Sequence, residues 1–191
     1  MVGGGRVRKD SLLMQAIGDV DELNAVLGLC RAEIARGAAG GLEPIDEILH
    51  KLQQEIFNLG ADLATPLDSL VKVPRVTVKQ VAQLEKWIDE IDAQLSPLQN
   101  FILPGGTILA ANLHMARAVC RRAERAIVAL AGERAGGEGR SASEGAGGRA
   151  DAGAAISENI VKYVNRLSDL LFVMARWGNM LEGVAEEVWK A

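Results

Sequence analysis

Residues 109–130 read LAANLHMARAVCRRAERAIVAL, and this segment indicates the architecture of the protein most clearly. Its apolar residues recur alternately three and four positions apart, which is typical of a helix packed along other helices. The run Arg121–Arg125 nevertheless places three arginines and one glutamate in this helix. Unpaired buried charges are costly, so we expect an anion to bind beside it, and the alternative is a solvated charged face.

Four further segments show the same spacing of apolar residues, namely 13–34, 45–63, 81–95 and 156–181. Residues that end or start helices separate them: Gly37–Gly41 with Pro44, Thr65-Pro66, Ser96-Pro97 and Pro104–Thr107. Thr77 and Gln80 have the spacing of a capping box at the start of the third helix. The sequence therefore predicts an all-α fold, a five-helix bundle.

Composition favours a single helical domain. The chain has 191 residues, of which 49% are hydrophobic and only 4% aromatic, so residues 1–191 can form one core rich in helix-forming residues. Residues 132–155 consist almost entirely of Gly, Ala, Ser, Glu and Arg. With nothing apolar larger than alanine to bury, they are predicted to form a flexible loop between the last two helices.

Charge and apolar content exclude several classes of protein. The formal net charge of −4 argues against general nucleic-acid binding, which normally needs a basic excess. No apolar run reaches the roughly 20 residues that span a membrane, and the first residues lack the apolar core of a signal peptide. Cys30 and Cys120 fall in apolar helical patterns, which predicts buried free thiols. We expect a cytoplasmic protein that binds neither nucleic acid nor membrane.

The last helix interrupts its apolar pattern in the same way as residues 109–130. Asn165, Arg166 and Asp169 lie about one turn apart on one side of it. Two apolar helices that both carry arginine suggest a shared polar pocket at the edge of the bundle. Because arginine binds phosphate oxygens with two parallel hydrogen bonds, the expected ligand is a polyphosphate.

Two other motifs are weaker. Gly3–Gly5, followed by basic residues up to Lys9, could approach a phosphate through backbone amides, or could be a disordered tail, and it lacks the ending of a Walker loop. Glu47 and His50 have the Glu-x-x-His spacing of di-iron bundles, but the chain has no second such pair. No protein-ligated metal site is predicted.

Five motifs, taken together and in this order, resemble one family. They are Gly18–Asn24, Gly60–Pro66, Phe101–Thr107, His114–Arg125 and Asn165–Asp169. In these motifs the chain is similar to the PduO-type ATP:cob(I)alamin adenosyltransferases, from about Gly5 to Glu182 with the Gly/Ser-rich loop left out.

The resemblance implies a homotrimer of five-helix bundles, with ATP and the corrinoid bound in clefts between subunits. It implies transfer of the 5′-deoxyadenosyl group of ATP to cob(I)alamin, which yields adenosylcobalamin and triphosphate, with Mg²⁺ bridging phosphate oxygens. A cobalamin reductase and an adenosylcobalamin-dependent acceptor enzyme are the implied partners. The alternative is a non-catalytic protein that binds and delivers cobalamin or ATP on the same bundle.

The resemblance also implies roles for individual residues. ATP would be bound by Lys9, Arg121, Arg122, Glu124, Arg125 and Asn165. Arg121 would contact the triphosphate. Phe101, which by its residue type could be an ordinary core aromatic, would occupy the face of the corrin from which the lower base must leave. Asp21 and Arg117 match a pair that the family uses as a salt bridge between subunits.

Overall fold

The computed structural model describes residues 7–37, 40–67, 69–137 and 155–190. Within them the chain forms α1 (Leu12–Arg36), α2 (Glu43–Leu63), α3 (Val78–Asp92), α4 (Ile108–Gly137) and α5 (Glu158–Leu181). The predicted all-α fold with five helices is confirmed. None of these helices has both the length and the apolar character needed to cross a membrane.

Short polar side chains start three of the helices. Ser11 accepts a hydrogen bond from the amide of Met14 in α1, and Ser157 accepts one from the amide of Asn159 in α5. Thr77 and Gln80 form the predicted capping box of α3. These contacts satisfy amides of the first helical turns that have no partner within the helix.

All five helices contribute side chains to the core. Helix α4 packs against α1 and α5, while α2 packs on α1 and α3 packs on α5. Leucines of all five helices are fully buried, among them Leu27, Leu52, Leu84, Leu113 and Leu167. Each such side chain contributes roughly 1.5–3 kcal/mol. Because α4 and α5 lie side by side, their polar residues can share one site.

The two cysteines are free and buried, as predicted. Burial raises the pKa of the Cys30 thiol to about 12. Burial also raises the pKa of the Cys120 thiol, which donates a hydrogen bond to the Val164 carbonyl at 3.3 Å. Both thiols are therefore protonated at neutral pH.

Helix α4 is longer than the sequence predicted. The expected loop at 132–155 begins later, because α4 continues to Gly137. Glu133, Arg134 and Ala135 are good helix formers, and Arg134 is only 9% exposed, so its stem adds packing to this turn. Residues 138–154 of the expected loop lie outside the described residues.

The turn between α3 and α4 is attached to α5 by one buried side chain. The amide of Thr107 donates to Asn179 Oδ1 at 2.9 Å, and Asn179 Nδ2 donates to the Gly105 carbonyl at 3.1 Å. Gly106 between them has φ +103°, and a Cβ at this position would overlap the Asn179 side chain. Only glycine fits this turn.

After α5 the chain returns alongside the segment that precedes the turn. Ile102 and Val188 form an isolated antiparallel bridge. The amide of Leu103 donates to the Glu187 carbonyl, and the amide of Trp189 donates to the Phe101 carbonyl, both at 2.8 Å. This pairing brings Trp189 next to Phe101.

Candidate active site

A cavity of about 420 Å³ opens where three distant parts of the sequence meet. Its walls include Leu98 and residues 100–102, Arg117 and Arg121 from α4, and Asp169 and Phe172 from α5. The volume lies within the range usual for small-molecule sites. The structure thus brings three of the predicted site residues, Phe101, Arg117 and Arg121, to one place.

Arg121 and Arg125 lie one turn apart on the exposed side of α4. Among the described residues, neither side chain forms a hydrogen bond or an ion pair, and Arg121 lines the cavity. A guanidinium that has no protein partner at a cavity wall can bind an incoming phosphate without first breaking a salt bridge. Arg121 is therefore well placed for the predicted triphosphate contact.

Glu124 and Asn165 join α4 to α5 beside these arginines. Asn165 Nδ2 donates to Glu124 Oε1 at 2.8 Å, and Arg166 Nη2 donates to Asn165 Oδ1 at 2.7 Å. Arg166 also pairs with Asp169 at 3.2 Å, and the Asp169 side chain reaches the cavity. The polar pocket predicted between the two helices is a connected network, which holds its members in fixed positions.

Arg117 packs against an aromatic ring instead of a carboxylate. Its guanidinium carbon lies 5.8 Å from the ring centroid of Phe172, and its Nε is buried without a hydrogen-bond partner in the described part of the chain. Asp21 is exposed on α1. Neither residue makes an ion pair within the described residues, so the predicted bridge between subunits stays a prediction.

Arg122 points away from the cavity although it is adjacent to Arg121. Its Nε lies 3.1 Å from Asp19 Oδ1, and its Nη2 pairs with Glu22, both on α1. These two hydrogen bonds raise the pKa of the guanidinium above its ordinary value. The structure therefore gives Arg122 a role in attaching α4 to α1. Lys9, another predicted ATP ligand, is exposed in the turn before α1 and is not part of the cavity wall.

Phe101 is 80% exposed, which excludes the alternative of an ordinary core aromatic. Its ring meets that of Trp189 edge to face, with 6.5 Å between centroids. Phe101 also lines a second cavity of about 510 Å³, formed by residues 98–101 and Trp189. A large aromatic ring exposed between two cavities is suited to contact a flat apolar ligand.

His114 on α4 lies near Phe172, which lines the cavity, and is only 4% exposed. Its ring is 6.0 Å from that of Phe172, and neither ring nitrogen has a hydrogen-bond partner among the described residues. Burial, reinforced by the nearby positive charge of Arg117, lowers the pKa of His114, whereas Glu186 acts in the opposite direction. The imidazole is therefore neutral at pH 7.

Sequence reasoning missed two residues of the site. Phe172 could have been found, because it follows Asp169 by about one helical turn and so lies on the same face. Trp189 has no such signal, since its place beside Phe101 depends on pairing between residues far apart in the chain. In the ranges that the structure describes, no group of three or more His, Cys, Asp or Glu residues is placed to bind a metal ion.

A family model described as cobalamin adenosyltransferase matches residues 1–178. The chain is 41% identical to the cobalamin adenosyltransferase of Cupriavidus metallidurans over 98% of this chain and 85% of that protein. It is 37% identical to the corrinoid adenosyltransferase of Bacillus subtilis over 96% of this chain and 82% of that protein.

A solved structure of a variant PduO-type ATP:corrinoid adenosyltransferase from Lactobacillus reuteri, complexed with cobalamin and ATP, is similar over its whole fold. The TM-score is 0.83 at 30% identity, and the match covers 100% of this chain and 93% of that one. The family model, the relatives and the solved structure agree. This chain belongs to the cobalamin adenosyltransferase family, and within it to the PduO-type corrinoid adenosyltransferases.

Proposed function

We propose that this corrinoid adenosyltransferase transfers the 5′-deoxyadenosyl group of ATP to cob(I)alamin at the cavity beside Phe101, and releases inorganic triphosphate. One observation carries the assignment of the site. Arg121, which has no partner among the described residues, and the exposed ring of Phe101 line the same 420 Å³ cavity. The guanidinium of Arg121 suits a triphosphate, and the ring of Phe101 suits a corrin.

The reaction needs alignment more than acid–base catalysis. The cobalt of cob(I)alamin supplies an electron pair to the 5′ carbon of ATP, the cobalt–carbon bond forms, and the bond from that carbon to the triphosphate oxygen breaks. The triphosphate leaves with the electron pair of the broken bond. The protein therefore has to bring the two reactants into line and stabilise the charge that develops on the leaving group.

Arg121 and Arg125 supply positive charge for the departing triphosphate, and Lys9 adds to it. Glu124 and Asn165 bind ATP as a pair. Their 2.8 Å hydrogen bond orders both side chains before ATP arrives. Arg122 acts indirectly, since its bonds to α1 set the orientation of α4.

Mg²⁺ fits this site as an ion that enters with ATP. It usually binds substrate phosphates together with one or two carboxylates, and Glu124 is half-buried between Arg121 and Arg125 on α4. When bound, the ion would neutralise charge on the triphosphate oxygens. Glu124 would hold it, while the two arginines bind the oxygens that remain free.

Phe101 acts on the corrinoid. Its ring occupies the face of the corrin from which the lower base must leave, which makes the cobalt four-coordinate and easier to reduce. The ring is exposed and is supported on its edge by Trp189, so it can lie against the macrocycle without leaving a packed core.

We further propose a homotrimer in which Asp21 of one subunit pairs with Arg117 of its neighbour and completes a cleft that holds both substrates. The buried Nε of Arg117, which has no hydrogen-bond partner in the described part of the chain, and the exposed position of Asp21 on α1 support this assembly. A cobalamin reductase and an acceptor of adenosylcobalamin are the expected partners. A cytoplasmic location is in keeping with two buried free thiols.

The test is conversion of the cob(I)alamin spectrum to that of adenosylcobalamin with ATP and Mg²⁺ supplied. Arg121→Ala should lower turnover about 100-fold or more while the circular dichroism spectrum is unchanged. Arg36→Ala, an exposed arginine at the end of α1, is the matched control and should retain turnover. Phe101→Ala should lose more activity from cob(II)alamin with a reductant than from cob(I)alamin.

Absence of turnover by the unaltered protein, with retained binding of cobalamin or ATP, would refute the enzyme and favour a binding and delivery protein. Loss of helical content in Arg121→Ala would instead show that this arginine is structural. If Phe101→Ala lost equal activity from cob(I)alamin and from cob(II)alamin, the proposed role of the Phe101 ring in making the cobalt four-coordinate would be refuted.

A further inference from the structure

Arg176 on α5 is a buried cation outside the cavity, and its side chain is only 4% exposed. Its Nη2 donates to the Ser96 carbonyl at 2.6 Å, and its Nε donates to Glu186 Oε1 at 2.9 Å. Its Nη1 lies 3.8 Å from Asp92 Oδ1, at the last residue of α3. One guanidinium therefore contacts the end of α3, the segment after it and the segment after α5.

These contacts depend on the shape of the arginine fork. A guanidinium directs several N–H groups in fixed directions, so it can bind a carbonyl and a carboxylate on different segments at once. A lysine ammonium has no such planar fork. Removing one partner leaves a buried charge without compensation, which makes this cluster more consequential than an exposed ion pair.

The two segments that Arg176 contacts are the ones that carry Phe101 and Trp189. Ser96 shortly precedes Leu98, Asn100 and Phe101, which line both cavities, and Glu186 precedes Trp189 by three residues. The segments are also joined to each other by the two 2.8 Å backbone hydrogen bonds of Leu103 and Trp189. Arg176 attaches this joined unit to α5 near Phe101, as Asn179 attaches the following turn.

We propose that Arg176 is a positioning residue for the corrinoid, which sets the place of Phe101 through Ser96 and Glu186 without touching either substrate. The proposal depends on the proposed function of the Phe101 cavity. It assigns Arg176 to the corrinoid side of the reaction, because its contacts lead to Phe101 and Trp189. The arginines of α4, which serve ATP, are not among its partners.

Hydrogen exchange of the substrate-free protein tests the first half of this proposal. Arg176→Gln should speed exchange at the amides of Leu103 and Trp189 about tenfold or more, because their segments lose the bonds that hold them to α5. Amides in the middle of α1 and α4 should exchange as in the unaltered protein. The milder variants Arg176→Lys and Glu186→Gln should show the same pattern, and they serve as the test if Arg176→Gln does not fold.

Steady-state kinetics test the second half. The KM for cob(I)alamin should rise about tenfold in the variants, while the KM for ATP should stay within about twofold. The fraction of bound cob(II)alamin that is four-coordinate, measured by electron paramagnetic resonance, should also fall. Arg31→Gln is the control for removal of an arginine ion pair elsewhere, because Arg31, which is 32% exposed, pairs with Asp46 at 2.7 Å and does not line the Phe101 cavity. The Arg31→Gln variant should change neither the hydrogen exchange of Leu103 and Trp189 nor the KM for cob(I)alamin or ATP.

The outcomes separate this proposal from the function it depends on. Unchanged exchange at Leu103 and Trp189 would overturn the proposal, and so would equal increases in the two KM values, even in an active enzyme. If the unaltered protein did not form adenosylcobalamin, the proposed function would fail. Exchange would then still decide whether Arg176 holds the two segments.

Discussion

Gly106→Ala should destabilise the protein sharply, because two independent features require glycine at this position. The backbone has φ +103°, which side-chain-bearing residues rarely adopt. A Cβ would also overlap the side chain of Asn179, which is 2% exposed and bonds to Gly105 and Thr107. Alanine therefore strains the turn and displaces the residue that holds it.

The expected cost can be assembled from these two features. The unfavourable φ contributes about 1–3 kcal/mol. Loss of the two Asn179 hydrogen bonds contributes about 1 kcal/mol each, so the total is roughly 3–5 kcal/mol. For a protein of this size, about 2–4 °C of Tm per kcal/mol gives a decrease of roughly 6–20 °C.

Thermal unfolding of the Gly106→Ala and Gly105→Ala variants, monitored by circular dichroism, measures the difference between their Tm values. Gly105 is the matched control, because a Cβ there meets nothing within 4 Å and its φ is not positive. Its replacement should change Tm by only a few degrees. Equal Tm values for the two variants would refute the argument that conformation and the Asn179 contact require Gly106.

Two further substitutions test buried polar groups. Tyr163→Phe should lower the free energy of unfolding by about 1–3 kcal/mol, because the buried Tyr163 hydroxyl donates a hydrogen bond to Glu55 Oε2 at 2.9 Å. Denaturant titrations measure this change, and an unchanged midpoint would show that Glu55 finds another donor. The folded-state pKa of His114 is lowered, so the unfolded chain binds more protons, and stability should fall as pH decreases below about 6.5. His114→Leu should lessen that decline between pH 7 and 5.5, and identical pH slopes for the two proteins would contradict this assignment.

The helices could be predicted because their signals are local. The capping box of Thr77 and Gln80 and the three–four spacing within residues 109–130 each depend on residues a few positions apart. The end of α4 was misplaced, because the glycine-rich composition after Ala131 outweighed the helix-forming Glu133 and Arg134. Local composition does not show how far tertiary packing extends a helix.

The roles of neighbouring arginines could not be separated from the sequence. Arg121 and Arg122 belong to one charged run, yet adjacent residues on a helix point about 100° apart. Only the position of α1, with Asp19 and Glu22 beside Arg122, distinguishes a structural arginine from one that faces the cavity. Trp189 was missed for a similar reason, because its partner Phe101 is close in space and distant in sequence.

The burial of both thiols has a consequence for the cobalt chemistry. Thiolates are strong ligands for transition metals and strong nucleophiles, whereas protonated thiols are neither. Cys30 and Cys120 are the only cysteines of the chain, and burial keeps both of them protonated inside the helical core. A reduced corrinoid therefore meets no thiolate from this polypeptide that could ligate its metal or compete with it for the adenosyl carbon.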